Sequence, residues 1–293
     1  GTTTVTYVAT DAGGRTATCS FTVTVVDNQN PAITCPSNIT TNAANGTCAT
    51  NVTYATPTAT DNCPGVTVAR TAGPASGASF PVGTTTVTHV ATDAGGRTAT
   101  CSFTVTVVDN QNPTITCPSN ISANAANGQC SANVSYTTPT ATDNCPGVTV
   151  ARTAGPASGA NFPVGTTTVT HVATDAAGRT ATCSFTVTVV DNQNPSLTCP
   201  SNMTVNASNG QCAANVTYSA ATVSDNCPGA TVAQTGGPAS GASFPVGITT
   251  VTFTGTDAAS NTATCTFTVT VVDNQNPTAV CQNITIQLNS SGN

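Results

Sequence analysis

The acidic side chains carry the clearest chemistry in this sequence, because all of them are aspartates and they recur at fixed positions. The chain has eleven acidic residues, all of them Asp, and it contains no Glu and no Lys. They occupy the TDA turns (Asp11, Asp93, Asp175 and Asp257), the DNQNP segments (Asp27, Asp109, Asp191 and Asp273) and the SDN or TDN segments (Asp61, Asp143 and Asp225). Carboxylate, amide and carbonyl oxygens are the ligands of Ca²⁺ in proteins, so clusters of these residues would bind calcium.

A second interpretation of the same aspartates needs no metal. Asp and Asn before Gly or Pro are common turn formers, because their side chains hydrogen-bond the backbone two residues further on. Arg15, Arg97 and Arg179 follow the turn aspartate by four residues and could neutralise it, whereas the last turn has Asn261 at this position. Calcium ligation and structural turns therefore stay open as alternatives.

The two histidines do not suggest catalysis. His89 and His171 occupy the position that Tyr7 and Phe253 fill in the other copies, so we interpret them as packing residues. Without Glu, Lys or a third His, the usual members of acid–base and nucleophilic sites are missing. We expect no catalytic residues and no enzymatic activity.

The charge of the chain excludes two further classes of partner. The five cations are all Arg, and the formal net charge is −6. A chain with this balance and no basic cluster is not expected to bind nucleic acid or an anionic membrane surface. No apolar run is long enough to predict membrane insertion of this segment.

Fourteen cysteines divide the chain into repeats of 82 residues, the spacing from position 19 to position 101. Four series share this period: Cys19, Cys101, Cys183 and Cys265; Cys35, Cys117, Cys199 and Cys281; Cys48, Cys130 and Cys212; Cys63, Cys145 and Cys227. We therefore predict the end of a preceding repeat at 1–30, whole repeats at 31–112, 113–194 and 195–276, and the first strand of a following repeat at 277–293. Cysteines at this density, without the CxxC pairs typical of zinc sites, indicate disulfides made in an oxidising compartment.

Short β-strands are predicted on either side of the aspartates and cysteines. Within 31–112, β-branched or aromatic residues alternate with Thr or Ser at TNVTY (50–54), GVTVA (65–69), TTTVTHVAT (84–92) and TATCSFTVTVV (98–108), the period-2 pattern of half-buried strands. Gly, Pro and Ser fill the segment AGPASGASFPVG (72–83), which we expect to be a loop between the sheets. The fold class is all-β: tandem immunoglobulin-like sandwich repeats arranged end to end as a rod.

This topology predicts where the aspartates meet. In an immunoglobulin-like domain the loop after the second strand and the last hairpin turn lie at one end, where the last strand of the preceding domain also ends. We therefore expect three junctions that could hold interdomain Ca²⁺: Asp27 with Asp61 and Asp93, Asp109 with Asp143 and Asp175, and Asp191 with Asp225 and Asp257. The third is the best candidate because Asn261 leaves it without a counter-charge.

Four motifs in one order carry a resemblance to a known family. The succession CPSNI (35–39), PTATDNC (57–63), FPVGTTTVT (80–88) and ATDAGGRTATCSFTVTV (91–107) resembles the hyalin repeat (HYR) domain, an immunoglobulin-like module of extracellular and adhesive proteins. The resemblance covers every repeat and is strongest to the four-cysteine version in large bacterial surface proteins. The DNQNP segments are also similar to the Asp- and Asn-rich linkers of cadherins, which bind Ca²⁺ between domains.

The resemblance implies a disulfide pattern. Animal versions of the domain typically keep only the cysteine of CP and the cysteine of TATC, which implies that these two pair. Carried over, Cys35–Cys101 would form and leave Cys48–Cys63. The equivalent pairs are Cys117–Cys183, Cys130–Cys145, Cys199–Cys265 and Cys212–Cys227. Four cysteines allow three connectivities, so the other pairings stay open.

The resemblance and the composition together predict a function. We expect a non-enzymatic stalk region of a secreted or cell-surface, adhesin-like protein, with no cofactor required apart from Ca²⁺ at the junctions. Its partners would be neighbouring repeats of the same or an identical chain, and a cell-surface or matrix protein or glycan bound through tip domains outside this segment. The alternative is a subunit of an extracellular filament, in which 277–293 of one chain donates a strand to the hairpin 1–30 of another.

Overall fold

The structure, a computed structural model, describes residues 1–292, and the regular elements of this part of the chain are β-strands. The opening hairpin and first repeat contain β1 (Thr2–Thr10), β2 (Thr16–Thr24), β3 (Ala32–Thr34), β4 (Ile39–Asn42), β5 (Ala49–Asn51), β6 (Thr58–Thr60), β7 (Thr67–Ala72), β8 (Ser79–Pro81), β9 (Gly83–Thr92) and β10 (Thr98–Val108). The second repeat contains β11 (Thr114–Thr116), β12 (Ile121–Asn124), β13 (Ser131–Val134), β14 (Thr140–Thr142), β15 (Thr149–Ala154), β16 (Ala160–Pro163), β17 (Gly165–Thr174) and β18 (Thr180–Val190). The third contains β19 (Ser196–Thr198), β20 (Met203–Asn206), β21 (Ala213–Asn215), β22 (Thr222–Ser224), β23 (Thr231–Gly236), β24 (Ser243–Pro245), β25 (Gly247–Thr256) and β26 (Thr262–Val272). No helix in this range has the length and apolar character needed to cross a membrane.

The chain forms two compact units. The first comprises Gly1–Cys117, Pro139–Ala151 and His171–Cys183, and it contains the whole first repeat. The second comprises Pro118–Thr138, Arg152–Thr170 and the chain from Ser184 onward, and it contains the whole third repeat. The elements of the second repeat are divided between the two units.

In the first unit the first repeat is a sandwich. Its larger sheet has the strand order β4-β10-β9-β7, and two short pairs, β3-β6 and β5-β8, complete the fold. The period-2 pattern of β10 places Phe103, Val105 and Val107 in the core, as the sequence predicted. Phe80 and Val87 pack in the same cluster. The alternation of Thr with apolar residues therefore builds one buried face and one solvent face.

The first and last long strands of this repeat run side by side. Strand β4 is parallel to β10, with Ile39 opposite Val105, and the Asn38 side chain accepts a hydrogen bond from the Thr104 amide at 2.8 Å. This parallel neighbour brings Cys35, which precedes β4, close to Cys101 on β10.

The second unit repeats this arrangement in the third repeat. Its larger sheet has the order β20-β26-β25-β23, and its core includes Phe244, Val251 and Phe267. Of the second repeat, the first unit holds the antiparallel pair β11-β14. The second unit holds the parallel pair β12-β18 and the antiparallel pair β13-β16. The prediction of tandem, all-β, immunoglobulin-like repeats is confirmed.

Two expectations about individual segments need correction. The predicted loop 72–83 contains the strand β8, which pairs with β5 because Phe80 at its centre is fully buried in the core. The predicted strand at 277–293 is not formed in residues 277–292, where Val280, Ile284 and Ile286 are exposed. The equivalent strand β4 is held by the edge of β10, and residues 277–292 pair with no such edge. Asn293 lies outside the described residues.

Candidate site at the repeat junctions

Three junctions share one construction. Each joins the DNQNP linker that follows one repeat to the Asp-Asn-Cys loop of the next. We call them the first junction (Asp27 with Asp61–Cys63), the second junction (Asp109 with Asp143–Cys145) and the third junction (Asp191 with Asp225–Cys227). The first two lie in the first unit and the third lies in the second unit.

The linker is fixed by its own Asp and Gln side chains. At the second junction Asp109 Oδ1 accepts a hydrogen bond from the Gln111 amide at 3.1 Å. The Gln111 side chain then accepts from the Gly46 amide at 2.8 Å and donates to Ala44 O at 3.3 Å. The linker is thereby held against the loop of its own repeat that carries Cys48.

The Asp-Asn-Cys loop of the next repeat docks on this surface. Asp143 Oδ2 accepts from the Cys145 amide at 3.1 Å, which shapes the loop. The Asn144 side chain donates to Asp109 Oδ1 at 3.2 Å and to Thr47 O at 3.0 Å. At the third junction Asn226 makes the same two bonds, to Asp191 Oδ1 at 3.2 Å and Gln129 O at 3.0 Å.

The structure brings together two of the three aspartates predicted at each junction, and it adds a cysteine. One potential ligand atom from each member lies within 4.8 Å of the others in three groups: Asp27, Asp61 and Cys63; Asp109, Asp143 and Cys145; Asp191, Asp225 and Cys227. Within the described residues, Asp93, Asp175 and Asp257 do not belong to these groups. The expectation that all three carboxylates converge is therefore corrected.

The turn aspartates have a structural task instead. Asp93 Oδ1 accepts from the Arg97 amide at 2.8 Å, which closes the β9–β10 turn. Asp175 and Asp257 do the same with Arg179 and Asn261, each at 2.7 Å. The turn carboxylates are therefore engaged within their own hairpin turns.

The residue four positions after the turn aspartate reaches the linker. Arg97 Nε donates to Asp27 O at 3.1 Å, and Arg179 Nε donates to Asp109 O at 3.0 Å. Asn261 takes over this role in the third junction, donating to Asp191 O at 3.1 Å. The arginines therefore bridge the turn to the linker backbone, and Asn261 makes the same bridge without a charge.

Several buried oxygens at the junctions have no hydrogen-bond partner among residues 1–292. They are Asp61 Oδ1 in the first junction, Asp143 Oδ1 and Asn144 Oδ1 in the second, and Asp191 Oδ2 and Asp225 Oδ1 in the third. Asp191 is only 4% exposed. Asp93 Oδ2 and Asp175 Oδ2, in the turns, are buried and unpaired as well. Because buried polar atoms normally have a partner, these oxygens are available to a further hydrogen-bond donor or a cation.

Disulfides within the repeats follow the pairing that the family resemblance implied. The structure joins Cys35 to Cys101, Cys117 to Cys183 and Cys199 to Cys265, each pair 66 residues apart. The reason is the parallel neighbour described above, which brings the cysteine that precedes the first long strand beside the cysteine on the last one.

The other disulfides connect neighbouring repeats, which the sequence analysis missed. Cys48 is bonded to Cys145 and Cys130 to Cys227, each pair 97 residues apart with Cα atoms 4.8 Å apart. The expected pairs Cys48–Cys63, Cys130–Cys145 and Cys212–Cys227 are therefore corrected. A signal was present: Cys145 follows Asp143 by two residues, and the loop that carries that aspartate to the junction must carry the cysteine too.

Cys63 lies in the same loop, and residues 1–30 contain no counterpart of Cys48 to pair with it. Cys63 is a free thiol, as are Cys19, Cys212 and Cys281. A hydrogen bond from the thiol to the Asp27 carboxylate, followed by burial and the negative charge of Asp27, raises the pKa of Cys63. The pKa of Asp27 is lowered, first by the Gln29 amide and then by this thiol. The protonated thiol is therefore the favoured form at the first junction.

The sequence predicted that His89 and His171 are packing residues of the core. His89 is buried, stacks on Phe103 with ring centroids 6.3 Å apart, and meets Tyr54 edge to face at 6.1 Å. Burial, followed by the charge of Arg70, lowers the pKa of His89, so the neutral ring is favoured. In the third repeat Phe253 stacks on Phe267 in the same way, at 6.5 Å. A position that accepts Phe serves as an aromatic core position.

Repeated sandwiches with junctions of this kind define a tandem-repeat protein of the immunoglobulin-like class. The HYR domain family matches residues 1–25, 26–107, 108–189 and 190–271, so the chain belongs to this family. These matches begin five residues earlier than the repeats drawn from the cysteine period (26 against 31), and they keep its length.

Two curated relatives are both named hyalin. The chain is 42% identical to hyalin from Strongylocentrotus purpuratus over 99% of this chain and 25% of the relative. It is 40% identical to hyalin from Lytechinus variegatus over 93% of this chain and 53% of the relative. The chain thus spans between a quarter and about half of these relatives. Among solved structures, the protocadherin GammaB4 extracellular domain is similar over 92% of this chain and 55% of that chain, at 17% identity and a TM-score of 0.36.

Proposed function

We propose that this chain is a non-enzymatic stalk region of a secreted or cell-surface, adhesin-like protein. The observation that carries the proposal is the pair of disulfides between neighbouring repeats, Cys48–Cys145 and Cys130–Cys227. Together with one disulfide inside each repeat, they form a covalent network that suits a load-bearing region in an oxidising environment. Membership of the HYR family and the name of the two relatives support the same role.

The proposal is tested on the protein from its natural source. Peptide mapping under non-reducing conditions should find Cys48–Cys145 and Cys130–Cys227, and an antibody to the chain, used as a membrane-impermeant reagent, should bind it on intact cells or in the medium. Fully reduced cysteines together with protection from the reagent would contradict an extracellular location.

The binding partner of the whole protein is proposed to be a cell-surface or matrix protein or a glycan, contacted by domains outside this chain. Within the chain, each repeat would have neighbouring repeats as its partners. We also retain the proposal that the repeats are of the four-cysteine type of bacterial surface proteins, which rests on the four cysteines in each whole repeat. Sequencing the gene of origin tests that detail.

We further propose that the junctions bind Ca²⁺. The proposed ligands are the paired carboxylates Asp27 with Asp61, Asp109 with Asp143, and Asp191 with Asp225, assisted by backbone and amide oxygens. Ca²⁺ takes six to eight oxygen ligands, and the buried, unpaired oxygens of these residues are of the required kind. A bound ion would offset the repulsion between the two carboxylates and hold the linker of one repeat against the loop of the next.

The calcium proposal is tested on the full chain with and without EDTA. At a free Ca²⁺ concentration about 100 times the dissociation constant, binding should stabilise the fold by about 2.7 kcal/mol, seen as a higher thermal midpoint. Asp225→Asn should reduce this gain, whereas Asp11→Asn, in the exposed opening hairpin, should not. An unchanged midpoint with no calcium found by elemental analysis would leave the aspartates as turn residues, and the stalk proposal would stand on its disulfides.

A second candidate function is a filament subunit joined by strand donation. Exposed apolar side chains in both segments favour it: Tyr7, Phe21 and Val25 in the hairpin, and Ile284 and Ile286 near the other end. Residues 277–292 of one copy would lie along β2 of another, as β4 lies along β10. The exposed thiols of Cys19 and Cys281 would then occupy the places of a Cys101–Cys35 pair.

Electron microscopy over a range of concentrations tests the filament. Filaments that contain Cys19–Cys281 disulfides between copies support it, and Ile284→Ser with Ile286→Ser should abolish them. A chain that stays monomeric at high concentration under oxidising conditions eliminates strand donation.

A further inference from the structure

The far end of the third repeat exposes a surface that is built like the two surfaces already covered by a neighbouring repeat. We call it the Cys212 face; it is formed by Gly210, Gln211 and Cys212 of one loop and by Asp273 and Gln275 of the linker. The Cys212 thiol is exposed and free. Cys212 belongs to the same series as Cys48 and Cys130, both of which are bonded to the next repeat.

The Cys212 face has the same hydrogen bonds between linker and loop as the surfaces that a neighbouring repeat covers at the second and third junctions. Gly210 N donates to Gln275 Oε1 at 2.8 Å, and Gln275 Nε2 donates to Ser208 O at 3.0 Å. Gln193 makes the equivalent bonds to Gly128 N at 2.7 Å and Ala126 O at 3.1 Å at the third junction. The clamp therefore forms whether or not a repeat is docked, so little ordering is needed for binding.

The hydrogen-bond acceptors for a docking loop are also in place. At the third junction the Asn226 side chain donates to Gln129 O and Asp191 Oδ1. The equivalent acceptors on the Cys212 face are Gln211 O and Asp273 Oδ1, and Asp273 Oδ1 already accepts from the Gln275 amide at 3.0 Å. Asp191 is 4% exposed under its docked loop, whereas Asp273 is exposed. This difference in exposure between Asp191 and Asp273 shows which part of the Cys212 face a docked loop would cover.

We propose that the Cys212 face is a docking surface for the Asp-Asn-Cys-Pro-Gly loop of a further HYR repeat, and that docking ends in a disulfide to Cys212. The loop asparagine would bond Gln211 O and Asp273 Oδ1, and the loop cysteine would reach Cys212 as Cys227 reaches Cys130. The inference rests on the contacts of the second and third junctions and is independent of calcium.

The occupant is a further repeat rather than a second copy of this chain. The equivalent loop of this chain, Asp61–Cys63, is engaged with its own linker: the Asn62 side chain donates to Asp27 Oδ1 at 3.4 Å, and the Cys63 sulfur lies within 4.8 Å of an Asp27 carboxylate oxygen. A second copy would have to break these contacts, and its Asp27 would compete with Asp273 for the same place.

Bond formation follows thiol–disulfide exchange with a low-molecular-weight disulfide as the oxidant. The loop cysteine is first present as its mixed disulfide with glutathione. The Cys212 thiolate attacks the sulfur of the loop cysteine, the bond to glutathione breaks, and the glutathione thiolate leaves and takes up a proton. One disulfide is broken and one is formed.

The test uses the full chain and a peptide with the sequence of residues 223–230, VSDNCPGA, supplied as its glutathione mixed disulfide. After exchange in glutathione buffer, peptide mapping measures the peptide captured at each free cysteine. Cys19 and Cys281, which are also exposed, are internal controls. Capture at Cys212 should exceed that at the controls by about thirtyfold, since the loop asparagine would add two hydrogen bonds that each contribute about 1 kcal/mol.

A matched peptide with Asn226→Ala separates docking from mere exposure. It should lose the preference for Cys212 while reacting with the controls as before. Equal capture of both peptides at Cys212, or equal capture at all exposed thiols, would overturn the docking surface. A Cys212–Cys63 bond between two copies, formed in preference to the peptide, would overturn the proposed occupant.

Discussion

The first and second junctions have the same aspartates and the same loop, yet only the second is closed. Both bring their two carboxylates and a cysteine within 4.8 Å. In the second junction Asp109 is 3% exposed and Cys145 is bonded to Cys48. In the first, Asp27 is half-buried and Cys63 is a free thiol.

Different segments of the junction pair the carboxylates and bury them. The linker and the Asp-Asn-Cys loop suffice to bring the acidic groups together, because both junctions have them. The loop that carries Thr47 and Cys48 buries the linker aspartate of the second junction and accepts the second hydrogen bond of its loop asparagine. Residues 1–30 contain no counterpart of this loop. Pairing of the carboxylates thus requires the linker and the Asp-Asn-Cys loop. Burial of the pair and the disulfide also require the loop that carries Thr47 and Cys48.

The largest expected effect comes from removing the inter-repeat disulfide. Cys48→Ser with Cys145→Ser should make the second junction resemble the first and lower the free energy of unfolding by about 2–4 kcal/mol. Equilibrium urea unfolding measures the loss. Cys63→Ser at the first junction is the matched control and should leave the midpoint unchanged; an equal midpoint for the double variant would show that the disulfide adds nothing to closure.

A smaller effect is expected from the loop asparagines. Asn144→Ala removes two hydrogen bonds across the second junction and leaves Asp109 Oδ1 and Thr47 O each short of one donor, which should cost about 1–2 kcal/mol. Asn62→Ala removes only a 3.4 Å bond to Asp27 at an exposed site, so its cost should stay within about 0.5 kcal/mol. Urea unfolding compares the two, and equal costs would contradict the role assigned to the third segment.

The smallest expected effect is on the alkylation rate of the Cys63 thiol, and it is measured on the folded chain. The Asp27 carboxylate raises the pKa of the thiol, so at a given pH less of the reactive thiolate is present. Asp27→Asn should lower this pKa, shift the pH profile of Cys63 alkylation to lower pH and speed the reaction at pH 8.

Iodoacetamide labelling followed by mass spectrometry gives the rate at each cysteine. Cys19 serves as the internal control, and its rate should be the same in the original chain and in Asp27→Asn. Asp11→Asn is the charge-matched variant and should leave the pH profile of Cys63 unchanged. An unaltered profile in Asp27→Asn would mean that the thiol does not feel the linker carboxylate.

Much of the fold follows from local patterns. Alternation along β10 predicted that Phe103, Val105 and Val107 face the core, and the structure agrees. The short strand β8 was missed because only three residues pair and Phe80 is the sole strong apolar signal among Gly, Pro and Ser. The site was predicted in part: Asp27 and Asp61 meet as expected, whereas Asp93 is retained by its own turn.

The repeat period, the all-β class, the inward face of the long strands and the meeting of linker and loop at the junction could all be predicted from the amino-acid pattern. Those properties depend on residue spacing and turn-forming residues within short segments, and the same pattern recurs in each repeat. The bonds between Cys48 and Cys145 and between Cys130 and Cys227 became visible in the folded chain alone. Those pairs lie 97 residues apart, and their proximity arises from the docking of one folded repeat on the next, which no local pattern records.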